Sequence, residues 1–282
     1  MKTKLNNSAA VIFVLCISLT FSLFAQNKYE KTYDLRYDID NNRSFVLDNN
    51  FYYIQHEINN GPKNLYGISS GSMKMKYKAV KKNSDSIMFE VEYADKSSEF
   101  LRQDSLRTND YKEVIGKKVR YSLSAKGVVS GFTNMTIEMN DGNKRLLSHL
   151  EEEIIHMLPT LPKDPVTIGD TWGTSFGGDR DDFESFSLEY TLLDEVVYKG
   201  YDCLKIIARY KTHENSEFKQ NGKNYTLESN STGHDLYFFA YKEGMLISRK
   251  SIGNGTLTVH VAEDGYTQNR TNHHLYETNI HL

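Results

Sequence analysis

The chain has 282 residues, with 34 basic and 37 acidic side chains and a formal net charge of −3 at pH 7. Basic and acidic residues are interspersed, so the sequence has no basic patch of the kind that nucleic acid binding requires, and we expect no nucleic acid partner. The length suits one large domain or two small ones, with enough material for a hydrophobic core.

Residues 1–25 have the pattern of a secretory signal peptide. Two lysines within the first four residues precede an apolar run, 9–24, and the pattern closes on the small residue Ala25. The run is short for a membrane span, which needs about 20 residues. We expect cleavage before Gln26 and an exported protein, in the periplasm or on the surface of a Gram-negative bacterium. An uncleaved anchor and a lipid on Cys16 are the alternatives.

The composition after cleavage fits this location. Residues 1–25 carry two lysines and no acidic residue, so the remaining 257 residues would have a net charge of −5, with Cys203 as their one cysteine. No intramolecular disulfide could then form. An exported chain of this size without disulfides suits a bacterial periplasm or cell surface, where a large core is sufficient.

Alternation of apolar and polar residues dominates the rest of the chain and predicts antiparallel strands with one buried face. The alternating segments are 33–39, 73–79, 87–93, 119–123, 188–192, 204–210 and 257–261. Turn signals separate them. Two of these turns, at 125–127 and 242–244, end in glycine and are followed by apolar residues and a serine, a faint echo between the two halves of the chain.

Residues 67–71 match the G-x-S-x-G pattern of the hydrolase nucleophile elbow. The elbow needs a strand before the serine and a helix after it. Here the following residues, 73–77, alternate as a strand. We therefore expect a flexible loop at 67–71, and a hydrolase is only an alternative function.

One amphipathic helix is predicted, over residues 143–158. Its leucines, isoleucine and methionine fall within an arc of about 120°, and Pro159 ends it. A stiff proline-rich connector follows, up to Pro165. We expect the apolar side of the helix to pack on the sheet through Leu147, Leu150, Ile154 and Leu158.

The polar side of this helix carries His149 and His156, with Glu152 and Glu153 between them. A working metal site needs three or four ligands and a supporting shell, and one helix face does not supply them. The sequence therefore predicts no functional metal, with His149 and His156 as weak candidates, and no cofactor.

The segment Gly169-Asp170-Thr171-Trp172 follows the connector. Gly169 permits a tight turn, Asp170 can accept hydrogen bonds from nearby backbone N–H groups, and Trp172 can fill a core. Together with the signal peptide, the Met/Lys strand at 73–79 and the helix, this segment resembles an uncharacterised family of exported bacterial proteins. That family has no assigned activity, so the resemblance implies no catalytic residues. The architecture is also similar to that of open-barrel periplasmic lipoprotein carriers, in which helices plug a curved antiparallel sheet.

The expected fold is mainly β. It is a long curved antiparallel sheet (an open barrel), or two linked antiparallel sheets, with the amphipathic helix packed on the concave face. Residues 26–282 are expected to form a single domain. Its sheet halves, 26–142 and 167–282, flank the helix and connector at 143–166.

These features favour a non-catalytic exported binding protein that holds an apolar ligand or lipid in a cleft between sheet and helix. The reason is geometric, because a half-closed sheet with an apolar concave face makes a natural cleft. The candidate cleft residues are Leu147, Leu150, Ile154, Leu158 and Trp172. An alternative is a cell-surface module that binds a cell-envelope protein or glycan through exposed tyrosine and phenylalanine side chains.

Overall fold

The computed structural model describes residues 31–58, 64–102, 105–109, 111–134, 136, 154–155, 157–176, 185–220, 222–261 and 265–281. The chain divides into two compact units, Met1–Thr32 and Tyr33–Leu282. Only residues 31 and 32 of the first unit are described, so the strands and the core all belong to the second.

The described residues form twelve strands in one antiparallel sheet. The strands are β1 (Ser44–Ile58), β2 (Asn64–Lys82), β3 (Ser86–Arg102), β4 (Ser105–Asn109), β5 (Lys118–Ser124), β6 (Val129–Asn134), β7 (Thr171–Phe176), β8 (Ser185–Tyr198), β9 (Tyr201–Gln220), β10 (Lys223–Ala240), β11 (Met245–Val261) and β12 (Tyr266–His281). Their order across the sheet is β6-β5-β3-β2-β1-β12-β11-β10-β9-β8-β7, and β4 pairs with β3. The sheet is not closed, and β6 and β7 are the ends of this order.

One face of the sheet carries the core, and we call it the inner face and the opposite one the outer face. In β3 every second residue from Ile87 to Tyr93 is buried, and β2 and β9 show the same alternation at Met73–Ala79 and Leu204–Ala208. Side chains on a strand alternate between faces, so this pattern separates a buried side from a wetter one. The predicted mainly β, antiparallel architecture is confirmed, with one sheet rather than two.

Residues 33–39 pack against the inner face without becoming a strand. Tyr33, Leu35, Tyr37 and Ile39 are buried in the core. The backbone N–H of Tyr33 bonds the carbonyl of Val166 at 2.8 Å, and the N–H groups of residues 37 and 38 bond the carbonyls of residues 125 and 244. These partners lie outside the strands. The prediction of a strand at 33–39 is therefore wrong, although its alternation did indicate which side chains are buried.

The two turns of similar sequence, at 125–127 and 242–244, both contact this part of the core. Gly127 and Gly244 have positive φ angles of 88° and 61°. A Cβ at Gly127 would meet the carbonyl oxygen of Pro159, and one at Gly244 would meet the backbone nitrogen of Asp38. Only glycine combines a left-handed backbone with such close approach, which explains the residue type at both turns.

The helix expected over 143–158 lies almost entirely outside the described residues, so its position on the inner face is not confirmed. At its end, Ile154 and Met157 are buried and Leu158 packs partly buried against the core. Within the described part of the chain, no helix has the length and apolar character needed to cross a membrane.

Candidate functional site

A polar network lies on the inner face beside the apolar core. Arg249 in β11 pairs with Asp235 in β10, with Nη2 and Oδ2 2.9 Å apart. The hydroxyl of Tyr237 donates to the same Oδ2 at 2.7 Å. Asp235 is only 2% exposed. A buried carboxylate needs both a counter-charge and hydrogen bonds, and this one has both.

The network continues across the sheet through Tyr210 in β9. Tyr210 pairs with Gly233 in β10, which pairs with Gly253 in β11, which pairs with His274 in β12. Tyr210 Oη lies 2.5 Å from His274 Nε2. The ring of Tyr53 in β1 lies nearly parallel to that of His274, at 9° and 6.0 Å. The row therefore joins five adjacent strands through three side chains and two glycines.

Burial sets the protonation of this row. Burial raises the pKa of Tyr210 well above its ordinary value and that of Tyr53 to about 12. Burial also lowers the pKa of His274, and the nearby Asp235 carboxylate offsets only part of that effect. The phenol of Tyr210 thus keeps its proton near neutral pH, and it can donate that proton to a neutral His274 ring.

These inner residues stabilise the pairing of β9–β12. Asp235, Tyr237 and Tyr210 are all buried, and Tyr210, with Gly233 and Gly253, also borders an open groove. Their bonds fix the separation and register of the four strands. The outer-face residues of the same strands are held in place by this network.

An open groove of about 1020 Å³ lies along β7–β11. Its polar lining includes Ser175, Ser187, Glu189, Arg209, Lys211, Thr232, His234 and Asn254. In β9–β11 these polar residues alternate with Tyr210 and the two glycines of the inner row, and in β8 Ser187 and Glu189 alternate with Leu188 and Tyr190, which pair with inner-face residues of β9. The polar lining therefore lies on the outer face. The groove is thus an open surface of mixed character, with polar side chains beside the apolar residues Trp172, Leu188 and Ile252.

The groove carries both signs of charge. Arg209 Nη1 and Glu189 Oε1 are 3.8 Å apart, and both side chains are well exposed. An ion pair of this kind contributes little stability and leaves both groups able to bind elsewhere. Glu189 is the one carboxylate among the described lining residues, while Arg209 and Lys211 supply two cationic donors.

Three of the residues expected to line an apolar cleft, Trp172, Ile154 and Leu158, are described, and all three pack against the core. Trp172 donates its indole N–H to the carbonyl of Thr160 at 2.7 Å and stacks on Tyr190, with ring centroids 5.4 Å apart. Ile154 is buried, and Leu158 lines a cavity of only about 20 Å³. Ile154 belongs to the core and Leu158 packs against it partly buried. Trp172 also packs against the core, and it lines the groove as well.

Four further candidates, Leu147, Leu150, His149 and His156, lie outside the described residues. Among the residues that are described, no group of three His, Cys, Asp or Glu side chains is placed to hold a metal ion.

The G-x-S-x-G segment, residues 67–71, lies inside β2. The prediction of a flexible loop there is wrong, because Tyr53 and Phe51 of β1 pair with Ser69 and Gly71 across a continuous ladder. An elbow needs a sharp turn that leads into a helix, and these residues are extended, with residues 68–71 paired on both sides.

Gly169 and Asp170 form the tight turn that the sequence predicts before Trp172. Gly169 has a positive φ of 100°. The Asp170 carboxylate accepts hydrogen bonds from the backbone N–H of Thr167, at 2.8 Å, and from the Thr167 hydroxyl, at 3.1 Å. The segment is a turn that leads into the edge strand β7, one of the strands that line the groove.

No protein-family model matches the chain, and a comparison with curated proteins finds no similar sequence. The resemblance to an exported family therefore rests on the signal-peptide pattern, the Met/Lys strand, the predicted helix and the Gly169–Trp172 segment.

Proposed function

We propose that the protein is an exported, non-catalytic binding protein that holds a glycan of the cell envelope in the outer groove. The observation that carries this proposal is the groove itself, about 1020 Å³ in volume, whose lining combines hydroxyl, amide and charged side chains with the apolar side chains of Trp172, Leu188 and Ile252. The export step rests on the signal-peptide pattern of residues 1–25.

The chemistry of the lining favours a sugar chain as the ligand. A sugar presents many hydroxyl groups, each of which can both donate and accept a hydrogen bond. Ser175, Thr232 and Asn254 offer the same dual capacity, and Arg209 and Lys211 add charged donors, whose hydrogen bonds are stronger than neutral ones. Because the groove is wide and open, it suits a segment of a polymer better than an isolated small molecule.

An apolar ligand is less well supported by the same criteria. The described part of the inner face is packed by residues 33–39 and by Ile154, Met157 and Leu161. The cavity that Leu158 lines there has a volume of about 20 Å³, whereas ligand pockets usually measure about 300–1,000 Å³.

Binding is favoured over cleavage because of the carboxylates. Glycoside hydrolysis generally uses two carboxyl groups placed on either side of the scissile bond. The described lining of the groove contains one, Glu189, whose nearest charged partner is Arg209.

Calorimetric titration with polysaccharides purified from the envelope of the host tests the proposal. The double variant Arg209→Ala/Lys211→Ala should lose about tenfold or more in affinity, because each change removes a charged donor. Lys163→Ala, which removes an exposed charge from the proline-rich connector, is the matched control and should bind as the wild type does. Equal binding by the double variant, or release of new reducing ends during incubation, would overturn the proposal.

A further inference from the structure

We infer that the glycan leaves the groove along a row of exposed apolar side chains on the outer face and that one of its sugar rings stacks on Tyr52. This inference rests on the proposed function and extends it, because it adds a second binding position outside the groove. The row consists of Ile252 in β11, Leu275 in β12 and Tyr52 in β1.

The row is continuous with the groove. Ile252 is itself a lining residue of the groove. It pairs with Leu275, which pairs with Tyr52. Adjacent strands are about 4.8 Å apart, so Tyr52 lies about 10 Å from Ile252 across the sheet. A chain that occupies the groove reaches the aromatic ring within a short length.

All three side chains are open to solvent to an unusual degree for their type. Ile252 is 60% exposed, Leu275 49% and Tyr52 42%. Elsewhere in the same strands the apolar residues Leu47, Leu246 and Ile280 are buried on the inner face. Contiguous apolar surface of this kind marks a site of interaction more often than a scattered single residue does.

Polar residues flank the row on both sides. On one side His273 Nδ1 and Asn254 Oδ1 lie 3.2 Å apart. On the other side Lys250 pairs with Glu277 at 3.3 Å. A sugar ring has an apolar face of C–H groups and a rim of hydroxyls. An apolar strip between two rows of donors and acceptors is complementary to both parts, and aromatic rings add a flat surface for the C–H face.

The charges in this region favour a glycan over an anionic lipid surface. Lys250 is paired with Glu277, so the rim of the strip has no cationic excess. Binding to acidic lipids depends on clustered unpaired lysine and arginine side chains. The hydroxyl, amide and imidazole groups that remain are suited to hydrogen bonds with neutral sugars.

The test uses oligosaccharides cut from the bound envelope polysaccharide and separated by length. Affinity of the wild type should rise with length once a chain can reach from the groove to Tyr52. Tyr52→Ala should then weaken the longer oligosaccharides by about tenfold, equal to about 1.4 kcal/mol, and leave the shorter ones unchanged. Tyr52→Phe keeps the ring and should bind all lengths as the wild type does.

Tyr266→Ala is the matched control, because Tyr266 is 45% exposed and lies at the far end of β12. Leu275→Glu, which places a charge inside the strip, gives a second test of the path and should weaken the longer chains as Tyr52→Ala does. If Tyr52→Ala and Leu275→Glu bind long chains as tightly as the wild type, the inference is wrong while the groove can still be the binding site. If no oligosaccharide of any length binds the wild type, the proposed function itself fails.

Discussion

Tyr210 and His274 form a hydrogen bond across three strand spacings, with Oη and Nε2 2.5 Å apart. The contact exists because the positions between them in the row are glycines, Gly233 and Gly253. A Cβ at either glycine would collide with the Tyr210 hydroxyl. The two glycines are therefore needed for the bond, although they are separated by twenty positions in the chain.

Gly253→Ala should destabilise the protein by about 1–3 kcal/mol, because the new methyl group would overlap the Tyr210 hydroxyl and the His274 ring. Urea unfolding monitored by circular dichroism measures the change. In a Tyr210→Ala background the shortest contact is absent and the His274 ring has room to move aside, so the same substitution should cost less. Gly173→Ala on the edge strand β7, where the nearest atom is a carbonyl at 3.2 Å, is the control. Equal stability of Gly253→Ala and the wild type would contradict this account.

Asp235→Ala should cost about 3–5 kcal/mol of unfolding free energy, because it leaves the buried Arg249 guanidinium without its counter-charge. Lys250→Ala breaks an ion pair of similar length whose side chains are about half exposed. That change should cost less than about 1 kcal/mol. Comparing the unfolding free energies of the two variants in urea separates the cost of leaving a charge buried and unpaired from the cost of breaking an exposed ion pair. A loss below about 1 kcal/mol for Asp235→Ala would mean that the pair is hydrated in solution.

Stability should fall as the pH falls below about 6.5, in part through His274. Burial lowers its pKa from the ordinary value of 6.5 in the folded protein. The unfolded chain then binds more protons than the folded protein in the interval between the two pKa values, and the unfolding free energy decreases as the pH decreases. His274→Gln should reduce this dependence below about pH 6.5, whereas His260→Gln, at an exposed histidine, should keep it. Unfolding free energies of equal pH slope in His274→Gln and the wild type would show that His274 is not responsible.

Local alternation predicted burial well and hydrogen-bond partners less well. At 87–93 it gave both the strand and its buried side, because this segment lies in the middle of a sheet. At 33–39 it gave the buried side chains but the wrong element, since an extended segment shows the same alternation whether its backbone bonds a strand or single loop residues. Alternation in the sequence therefore indicates which side chains face the core, but it does not indicate which backbone groups form the hydrogen bonds.

The groove and the apolar row could not be read from the sequence for a related reason. Arg209 and Lys211 are visible as the polar phase of a predicted strand, but a polar phase is what any solvated face shows. Arg209 and Lys211 lie near Ile252, and Leu275 lies beside Tyr52, only because the strands follow the order β9-β10-β11-β12-β1. That order brings the first strand beside the last, a long-range pairing with no local signal.

Leu35→Ala tests whether residues 33–39 belong to the core although they form no strand. Leu35 is 1% exposed and lies in the same cluster as the inner-face residues of the sheet. Its truncation should lower the unfolding free energy by about 2–5 kcal/mol, the usual cost of a leucine removed from a packed interior. The neighbouring Arg36 is exposed, and its side chain bonds the carbonyl of Ser84 at the surface. Arg36→Ala is therefore the matched control and should change stability by less than about 0.5 kcal/mol. If both variants unfold at the urea concentration of the wild type, residues 33–39 are detached in solution and the inner face is covered by other parts of the chain.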